Sequence, residues 1–496
     1  MRNGEALALT RVPSMPWAGF RLELLRAVND GARVAALFGA PEGGGLRLYA
    51  VLAEERVGGL SVLSTTVGDS YPSLTPACPQ VHWFEREIAE QWGVKPEGHP
   101  WLKPIRFHPS WRPGKDAWGR QGAIEPCVTD YYRVEGGEIH EVAVGPVHAG
   151  IIEPGHFRFQ CHGEKVFHLE ISLGYQHRGV ERAMAGGPSP RSVHYMETLA
   201  GDTTVAHATA YAQIVEALSG QRAPARAMAL RGVALELERL ANHTGDLGAL
   251  ANDVGFLPTS SFCGRIRGDF LNMTALLCGN RFGRNLVRPG GVAFDLDDAL
   301  AEELRRRLAA AVKDVTVAAE LLWSTPSVMA RFETTGVVSR QDALDAGLVG
   351  VAARASGLDR DVRQDFPTGI FAFEQIPAAS AATGDVFARA YVRWIEMRRS
   401  ARFITELSSR LPAGPLRRDT GPLRPNMLAA AMVEGWRGEV CHVALTDGEG
   451  RFARYKVVDP SFHNWFGLAL SLRGQEISDF PLCNKSFNLS YCGHDL

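Results

Sequence analysis

The chain has 496 residues, of which 45% are hydrophobic and 22% charged, and 53 lysines and arginines nearly balance 55 aspartates and glutamates. This ordinary globular mixture excludes wholesale disorder, and the net charge of −2 gives no basic excess that would suit a nucleic-acid partner. No apolar run reaches the ~18 residues of a membrane span, and the N-terminus lacks a signal-peptide core, so we expect a soluble chain that meets membranes only through partners.

The eight cysteines contain no C-x-x-C pair. Their spacing therefore argues against a zinc ribbon, a thioredoxin-like redox site and ordinary Fe–S ligation. Without a secretion signal, we expect all eight to be reduced thiols.

Residues 1–110 predict a small N-terminal α/β domain. The apolar segments RVAALFGA and LRLYAVLAEERV read as strands on either side of the turn PEGGG, and VHWFEREIAEQWG has helical periodicity. Residues 111–135 contain Pro and Gly without periodicity and predict a linker, where limited proteolysis should cut first.

Residues 136–496 predict a mainly α-helical domain with a small β-sheet, which makes the whole chain α+β. Three short strands with turns at Gly150–Gly155 and Gly163–Glu164 are followed by long helical segments. One helix has Asp297 and Asp298 as N-terminal caps. A later hairpin turns at Asp447–Gly450. The predicted helices are YMETLAGDTTVAHATAYAQIVEALSG, ARAMALRGVALELERLANHTGDLGALA, ALAEELRRRLAAAVKDVTVAAELLW and GDVFARAYVRWIEMRRSARFITELSSRL.

Two helical segments carry polar side chains that could serve a site. Glu236, Arg239 and His243 form one stripe, which is either an exposed or ion-paired face or a buried charged pair beside a site. His207 lies in a segment of small and apolar residues, so it is either a hydrogen-bonded core residue or part of a site.

The segment GPVHAGIIEPGH places His148 and His156 in or beside a turn between strands, which alone is weak support for a site. The chain contains neither G-x-G-x-x-G after a strand nor G-x-x-x-x-G-K-[ST]. We therefore expect no nucleotide-binding site in this polypeptide.

Several longer strings resemble one protein family. Residues 83–108 resemble the 30-kDa-type subunit of complex I, and residues 145–181 resemble the start of its quinone-reacting 49-kDa-type subunit. The fused order and NKSFNLSY resemble the large subunit of group 4 [NiFe] hydrogenases of the hydrogenase-3, hydrogenase-4 and formate hydrogenlyase type. The remaining matching strings are LERLANH, GNRFGRNLVRPGGV, TTGVVSRQDALDAGLVGVAARASGLDRDVR and GDVFARAYVRWIEMRRS.

The chain departs from these hydrogenases at the residues that hold their metals. The family carries C-G-x-C early and C-x-x-C near the C-terminus, whereas this chain has Ala200 and Thr203, then Ser490 and Gly493. Nickel in such a centre needs soft thiolate ligands, so we expect no NiFe centre and no bound metal. Cys492 is out of register for the lost pair.

The resemblance instead implies a quinone site where the metal would be. Because a quinone has two carbonyl oxygens that accept hydrogen bonds, His148 or His156 and Tyr195 are the predicted catalytic donors. Their expected neighbours are Ala200, Thr203, His207, Glu236, Arg239, Ser490 and Gly493, around a void that the small residues leave unfilled. Alternatively, Tyr195 is a packed aromatic residue and the histidines are structural.

The resemblance also implies the complex in which the chain would work. We expect a cytoplasmic chain on the inner membrane, beside a complex I 20-kDa-like small subunit whose [4Fe–4S] cluster supplies electrons, with antiporter-like membrane partners. No cofactor would bind this chain directly, a quinone would be the substrate, and any NAD would bind another subunit. The alternative is a non-catalytic scaffold or coupling subunit, which a closed apolar cavity would favour.

Overall fold

The computed structural model describes residues 1–122, 124–125, 127, 129–148 and 152–496. Three linker positions (123, 126 and 128) and residues 149–151, which include Gly150 of the expected turn, lie outside the described residues. The predicted α+β class is confirmed. None of the described helices is both long and apolar enough to cross a bilayer.

The first hundred residues form a three-stranded antiparallel sheet against which two helices pack. The two predicted strands and the predicted helix are among these elements, whereas the strand Gly59–Val67 and the helix Trp17–Asn29 were not predicted. The turn PEGGG joins two of its strands, and the predicted helix ends at Gly93 in the left-handed conformation, φ 64°. The elements are β1 (Glu5–Ala8), α1 (Trp17–Asn29), β2 (Arg33–Glu42), β3 (Gly45–Glu54), β4 (Gly59–Val67), β5 (Ser70–Pro72), α2 (His82–Trp92) and β6 (Lys95–Glu97).

The first strand pairs with a strand on the other side of the predicted domain boundary. Strand β1 pairs with a strand near the C-terminus, so that Glu5 lies opposite Ala430. Lys456 Nζ also lies 2.7 Å from the carboxylate of Glu87, which belongs to α2. The boundary at residue 110 stays a prediction, but the residues on its two sides share one sheet and a buried ion pair.

The predicted small sheet forms at residues 139–172. Its antiparallel strands are adjacent along the chain, and the predicted turn at Gly163–Glu164 joins the last two. The strands are β7 (Ile139–Val144), β8 (His156–His162) and β9 (Lys165–Ser172).

The predicted helices are present, but one of them is interrupted. The segment that begins at Tyr195 breaks after Glu197 and restarts at Thr204. The Glu238 carboxylate stabilises this second start, because it accepts hydrogen bonds from the free N–H groups of Val205 and Ala206. The elements are α3 (Val180–Ala183), α4 (Ser192–Glu197), α5 (Thr204–Ser219), α6 (Ala225–Asp253), α7 (Leu257–Cys278), β10 (Val287–Arg288), β11 (Gly291–Val292), α8 (Asp298–Trp323), α9 (Pro326–Phe332), α10 (Arg340–Asp345), α11 (Gly350–Ala355), α12 (Val362–Asp365) and α13 (Val386–Ser408).

The C-terminal part adds a sheet of order β1–β12–β13–β14, followed by short helices. The predicted hairpin is confirmed, with Leu445 opposite Arg454. Helix α5 packs on this sheet and carries residues of the predicted site across its face. The elements are β12 (Met427–Glu434), β13 (Glu439–Thr446), β14 (Phe452–Val458), α14 (Pro460–Ser471), α15 (Phe480–Phe487) and α16 (Tyr491–Asp495).

Candidate functional site

The fold brings the two candidate ligand segments together. The loop between α4 and α5 contains Ala200 and Thr203, and the start of α16 contains Ser490 and Gly493. Arg178 bridges the two segments, because its Nη2 donates to Leu199 O at 2.9 Å and to Cys492 O at 3.1 Å. All four predicted ligand positions are buried. The site is therefore formed from residues nearly three hundred positions apart.

Thr203 lies within an ion pair that closes one side of the site. Arg437 donates to both carboxylate oxygens of Asp202, at 2.6 and 2.8 Å, and to Thr203 Oγ1 at 3.1 Å. Burial opposes ionisation of Asp202, but the Arg437 charge outweighs it and holds the pKa of Asp202 below its usual value. The Thr203 hydroxyl is thus committed to this pair.

The hydroxyl of Ser490 and the space at Gly493 are also used by the fold. Ser490 is the N-cap of α16, and its Oγ accepts a hydrogen bond from Gly493 N at 2.9 Å. A Cβ on Gly493 would lie 2.7 Å from Asp459 Oδ2. The expectation that Gly493 leaves a void is wrong, because the Asp459 carboxylate occupies that space.

Gly493→Ala should therefore destabilise the protein by about 1–3 kcal/mol, the usual cost of overpacking. Gly201→Ala is the matched control, since a Cβ there meets nothing within 4 Å. Thermal unfolding of the two variants should show a clear loss only for Gly493→Ala. Equal midpoints would mean that Asp459 moves aside at no cost.

A buried chain of hydrogen bonds runs from Asp459 into the core. His207 Nε2 donates to Asp459 Oδ2 at 3.0 Å, and His207 Nδ1 lies 3.0 Å from His442 Nε2. His442 Nδ1 lies 2.9 Å from the Tyr455 hydroxyl. The side chains of Asp459 and His207 are 0% exposed, and so are the residues His442 and Tyr455.

When both imidazoles are neutral, the donors and acceptors along these hydrogen bonds can be assigned in only one direction. Tyr455 donates to His442, His442 donates to His207, and His207 donates to the carboxylate. Burial holds the pKa of His442 well below its usual value, with a further contribution from His207, which keeps that ring neutral. The arrangement fixes the tautomer of His207, the predicted site residue on α5, and supplies a polarised path for protons.

Of the two predicted catalytic histidines, His148 lies before β8 and His156 is the first residue of that strand. His148 Nε2 donates to Gly155 O at 2.9 Å, and His156 Nδ1 donates to Gly145 O at 3.1 Å. The turn contacts the C-terminus, because Cys492 N donates to Glu153 Oε1 at 3.3 Å. His156 Nε2 is buried and has no hydrogen-bond partner among the described residues. Burial also lowers the pKa of His156, so its free nitrogen is an acceptor.

Tyr195 lies on α4, the helix that precedes the α4–α5 loop. Its ring is half-buried against the apolar cluster that contains Met196, Phe452 and Tyr455. This is the packing expected from the alternative reading of Tyr195. Its role as a quinone donor stays a prediction, as do the roles of the two histidines.

Glu236 and Arg239 are fully buried and ion-paired, at 3.0 Å. Arg239 also donates to Glu434 O at 2.7 Å and to Gly435 O at 3.0 Å, on the loop that leads to Arg437. Their stripe is therefore a buried charged face rather than an exposed one. The wider cluster around this pair contains His243, Arg354, Asp361, Arg363, Glu396, Ser400 and Glu434.

Sequence reasoning missed Asp459, His442, Tyr455 and Arg437. The first three contact His207 or its partner, but they lie on strands or a loop more than two hundred residues away. One signal was available, since Asp459 precedes Pro460 at a helix start and so reads as an N-cap. Nothing local indicates that the same carboxylate faces a histidine.

Two known families match separate parts of the chain. The family described as the 49 Kd subunit of respiratory-chain NADH dehydrogenase matches residues 253–426. The family described as the 30 Kd subunit of the same enzyme matches residues 32–119. The order of the two regions agrees with the fusion inferred from the sequence.

Three curated relatives extend the match. Formate hydrogenlyase subunit 5 of Escherichia coli (strain K12) is 30% identical over 93% of this chain and 84% of its own length. Hydrogenase-4 component G of the same organism is 29% identical over 85% of this chain and 75% of its own length. NADH-quinone oxidoreductase subunit 4 of Thermus thermophilus is 30% identical over 69% of this chain and 90% of its own length.

Proposed function

The chain belongs to the family of complex I 49-kDa-type subunits and formate hydrogenlyase-type hydrogenase subunits, and on this premise we propose that it reduces a quinone without a nickel–iron centre. The reaction would take two electrons and two protons and release a quinol. The chain would act within a respiratory-type membrane complex, as do the family members to which it is similar.

One observation carries the proposal: the hydrogen-bonded chain from Asp459 through His207 and His442 to Tyr455. Its Asp459 end lies beside Gly493, the position at which the family would have a metal ligand. A quinone that gains electrons needs protons, and a positioned imidazole is the side chain most often used to transfer them. Tyr195 remains the proposed donor to the headgroup. His148 and His156 remain proposed contacts, but the one N–H of each neutral ring already donates to Gly155 O or Gly145 O, so a histidine would donate to the headgroup only after it breaks that bond.

The donor set at the four former ligand positions does not fit nickel. Ala200 and Gly493 have no donor atom, and the hydroxyls of Thr203 and Ser490 are engaged in hydrogen bonds within the fold. Soft metals require thiolates in such a site. The proposed reaction therefore has no step at a metal.

The electrons would come from a partner. No nucleotide-binding motif occurs in the sequence, so the proposed donor is the [4Fe–4S] cluster of a complex I 20-kDa-like small subunit. Antiporter-like subunits would anchor the assembly, with this chain peripheral on the cytoplasmic side of the inner membrane. Gly201, which is exposed between the buried residues Ala200 and Thr203, marks the side of the site that we propose the small subunit approaches.

A scaffold or coupling subunit is the second candidate function. It is favoured by the closure of the site, since Ala200, Thr203 and Ser490 are at most 1% exposed and Asp459 occupies the space at Gly493. In that case the buried charges would transmit a conformational change rather than reduce a substrate.

The test is made on the intact complex, isolated with its partners. Elemental analysis should find far less than one nickel per chain, and reduction of a soluble quinone should proceed without hydrogen uptake. Tyr195→Phe should lower quinone reduction about tenfold or more while assembly is unchanged, because a donor to the headgroup is lost.

Tyr391→Phe is the control, since Tyr391 lies on α13 in a surface stack with Phe387. Stoichiometric nickel or hydrogen uptake would refute the proposal. A complex that assembles but reduces no quinone would leave the scaffold function standing.

A further inference from the structure

A tight turn joins β12 to β13 and carries a buried arginine, Arg437, at its tip. Gly435 N donates to Gly438 O at 2.8 Å, and Gly438 N donates back to Gly435 O at 3.1 Å. The Arg437 guanidinium lies over the Trp436 ring, 3.9 Å from its centroid. The turn also packs against the start of α11, since a Cβ on Gly350 would lie 2.2 Å from Arg437 O. Because the backbones are in such close contact, the turn is a rigid support for this side chain.

Arg437 binds both of the segments that contain the former ligand positions. On the α4–α5 loop, its Nη1 and Nη2 donate to the two carboxylate oxygens of Asp202 at 2.6 and 2.8 Å. Its Nε donates to Asn488 O at 2.5 Å, at the end of α15 and two residues before Ser490. The planar fork of a guanidinium allows these bonds to form at the same time. A side-chain cation thus links two segments that are far apart in the sequence.

Each segment leads directly to one partner of the hydrogen bond between His207 and Asp459. Helix α5, which carries His207, begins two residues after Asp202. In the other segment, Ser490 N donates to Ser461 Oγ at 2.8 Å, two residues after Asp459. The arginine that holds the two segments together therefore also sets how the imidazole meets the carboxylate.

The charge of Arg437 also favours the carboxylate form of Asp459. Burial opposes ionisation of Asp459, but the hydrogen bond from His207 and the charge of Arg437 hold its pKa below the usual value. Burial likewise opposes the charge of Arg437, but Asp202 outweighs it, and the pKa of Arg437 is raised. The guanidinium and the carboxylates therefore stabilise one another.

We propose that Arg437 is a positioning residue for the proposed reduction of a quinone, because it holds the two segments at the spacing that the His207–Asp459 hydrogen bond requires. The inference rests on that proposed function. Arg437 would touch neither the quinone nor the reacting atoms. Without it, the α4–α5 loop and the start of α16 would move independently, and a misplacement of about 1 Å can lower a rate about 10²-fold.

The test uses Arg437→Ala in the intact complex. Its kcat for reduction of a soluble quinone should fall about 10²-fold, while the KM for the quinone stays within about threefold, because the proposed contacts of the headgroup are unchanged. Added guanidinium should raise this kcat about tenfold or more, since it is a planar cation with the same donors. The Asp202 side chain is 33% exposed, so the ion has access to the vacated space. Urea has nearly the same shape but no charge, and equal recovery with urea would contradict the proposed role.

Arg231→Ala is the matched control. Arg231 is also a buried arginine that binds one carboxylate twice, that of Glu216, at 2.6 and 3.3 Å, and it also donates to a backbone oxygen, Gly291 O. These contacts lie at the C-terminal end of α5, away from the two segments. This variant should lose stability as Arg437→Ala does, but its kcat should be that of the wild type with or without guanidinium.

Hydrogen exchange of the backbone amides gives a readout that needs no quinone. In Arg437→Ala, residues 198–204 and residues 488–495 should both exchange faster, and guanidinium should slow both. An unchanged kcat, a raised KM with an unchanged kcat, or faster exchange in fewer than both segments would overturn the inference.

Two further outcomes are separable. If the wild-type complex reduces no quinone, the proposed function fails, and the exchange of the two segments decides whether Arg437 links them. If Arg437→Ala does not fold, Arg437→Lys decides the inference, since lysine keeps the charge but lacks the fork that binds both segments. It should then show a lower kcat and faster exchange in both segments, and wild-type values for both would reject the inference.

Discussion

Arg354→Met should lower the free energy of unfolding by about 3–5 kcal/mol, because it leaves buried carboxylates without their counter-charge. Arg354 is 0% exposed and lies 2.6 Å from Glu396 and 2.8 Å from Glu434. Asp361 follows at 3.7 Å. Methionine fills most of the volume of the arginine side chain, so the loss would come from charge rather than from a cavity. Urea unfolding at neutral pH measures it.

Arg402→Met is the matched control for that experiment. Arg402 pairs with Glu406 at 2.7 Å, but the two side chains are 78% and 50% exposed. An exposed pair of this kind contributes about 0.3–0.5 kcal/mol, so the two variants should differ clearly. Similar small losses in both would show that water or protonation compensates the buried carboxylates.

Periodicity predicted most of the long helices and the C-terminal hairpin. Helices α6, α8 and α13 and the β13–β14 hairpin were found because their apolar residues repeat at the spacing of the structure. Helix α7 was missed, since Gly264 and Gly268 weaken its helix propensity and packing against α6 and α8 supplies the stability. Strand β12 was missed because MLAAAMVE favours a helix in isolation, yet it lies between β1 and β13.

The candidate site was predictable only in part. His207, Glu236 and Arg239 could be singled out, because polar residues in an apolar helix stand out from their neighbours. Their distant partners could not be predicted. In the sequence, Asp459 lies 252 residues from His207, and Glu396 lies 153 residues from His243. The family pattern supplied the four ligand positions, but it could not show that Asp459 occupies the space beside Gly493.

Asp459→Asn should lower quinone reduction by about 10²–10⁴-fold, the range expected when a general acid–base group loses its orientation. Asp459 accepts from His207 Nε2, and that contact sets the direction of the whole chain to Tyr455. An asparagine that presents its NH₂ group would require Nε2 to accept, which leaves His207 and His442 with the wrong tautomers. The rate is measured as quinol formed by the intact complex at saturating reductant.

The variant should still fold, and this makes the experiment decisive. Asparagine caps helices about as well as aspartate, so the substituted side chain can still accept from Ser461 N, as Asp459 does at 2.8 Å. Asp297→Asn is the matched control: Asp297 caps α8, where it accepts from Leu300 N at 2.8 Å, and it is not part of the site. A normal rate in Asp459→Asn would mean that the buried chain serves structure alone. If quinol formation is lost in Asp459→Asn but not in Asp297→Asn, we would infer that His207 transfers the protons in this protein.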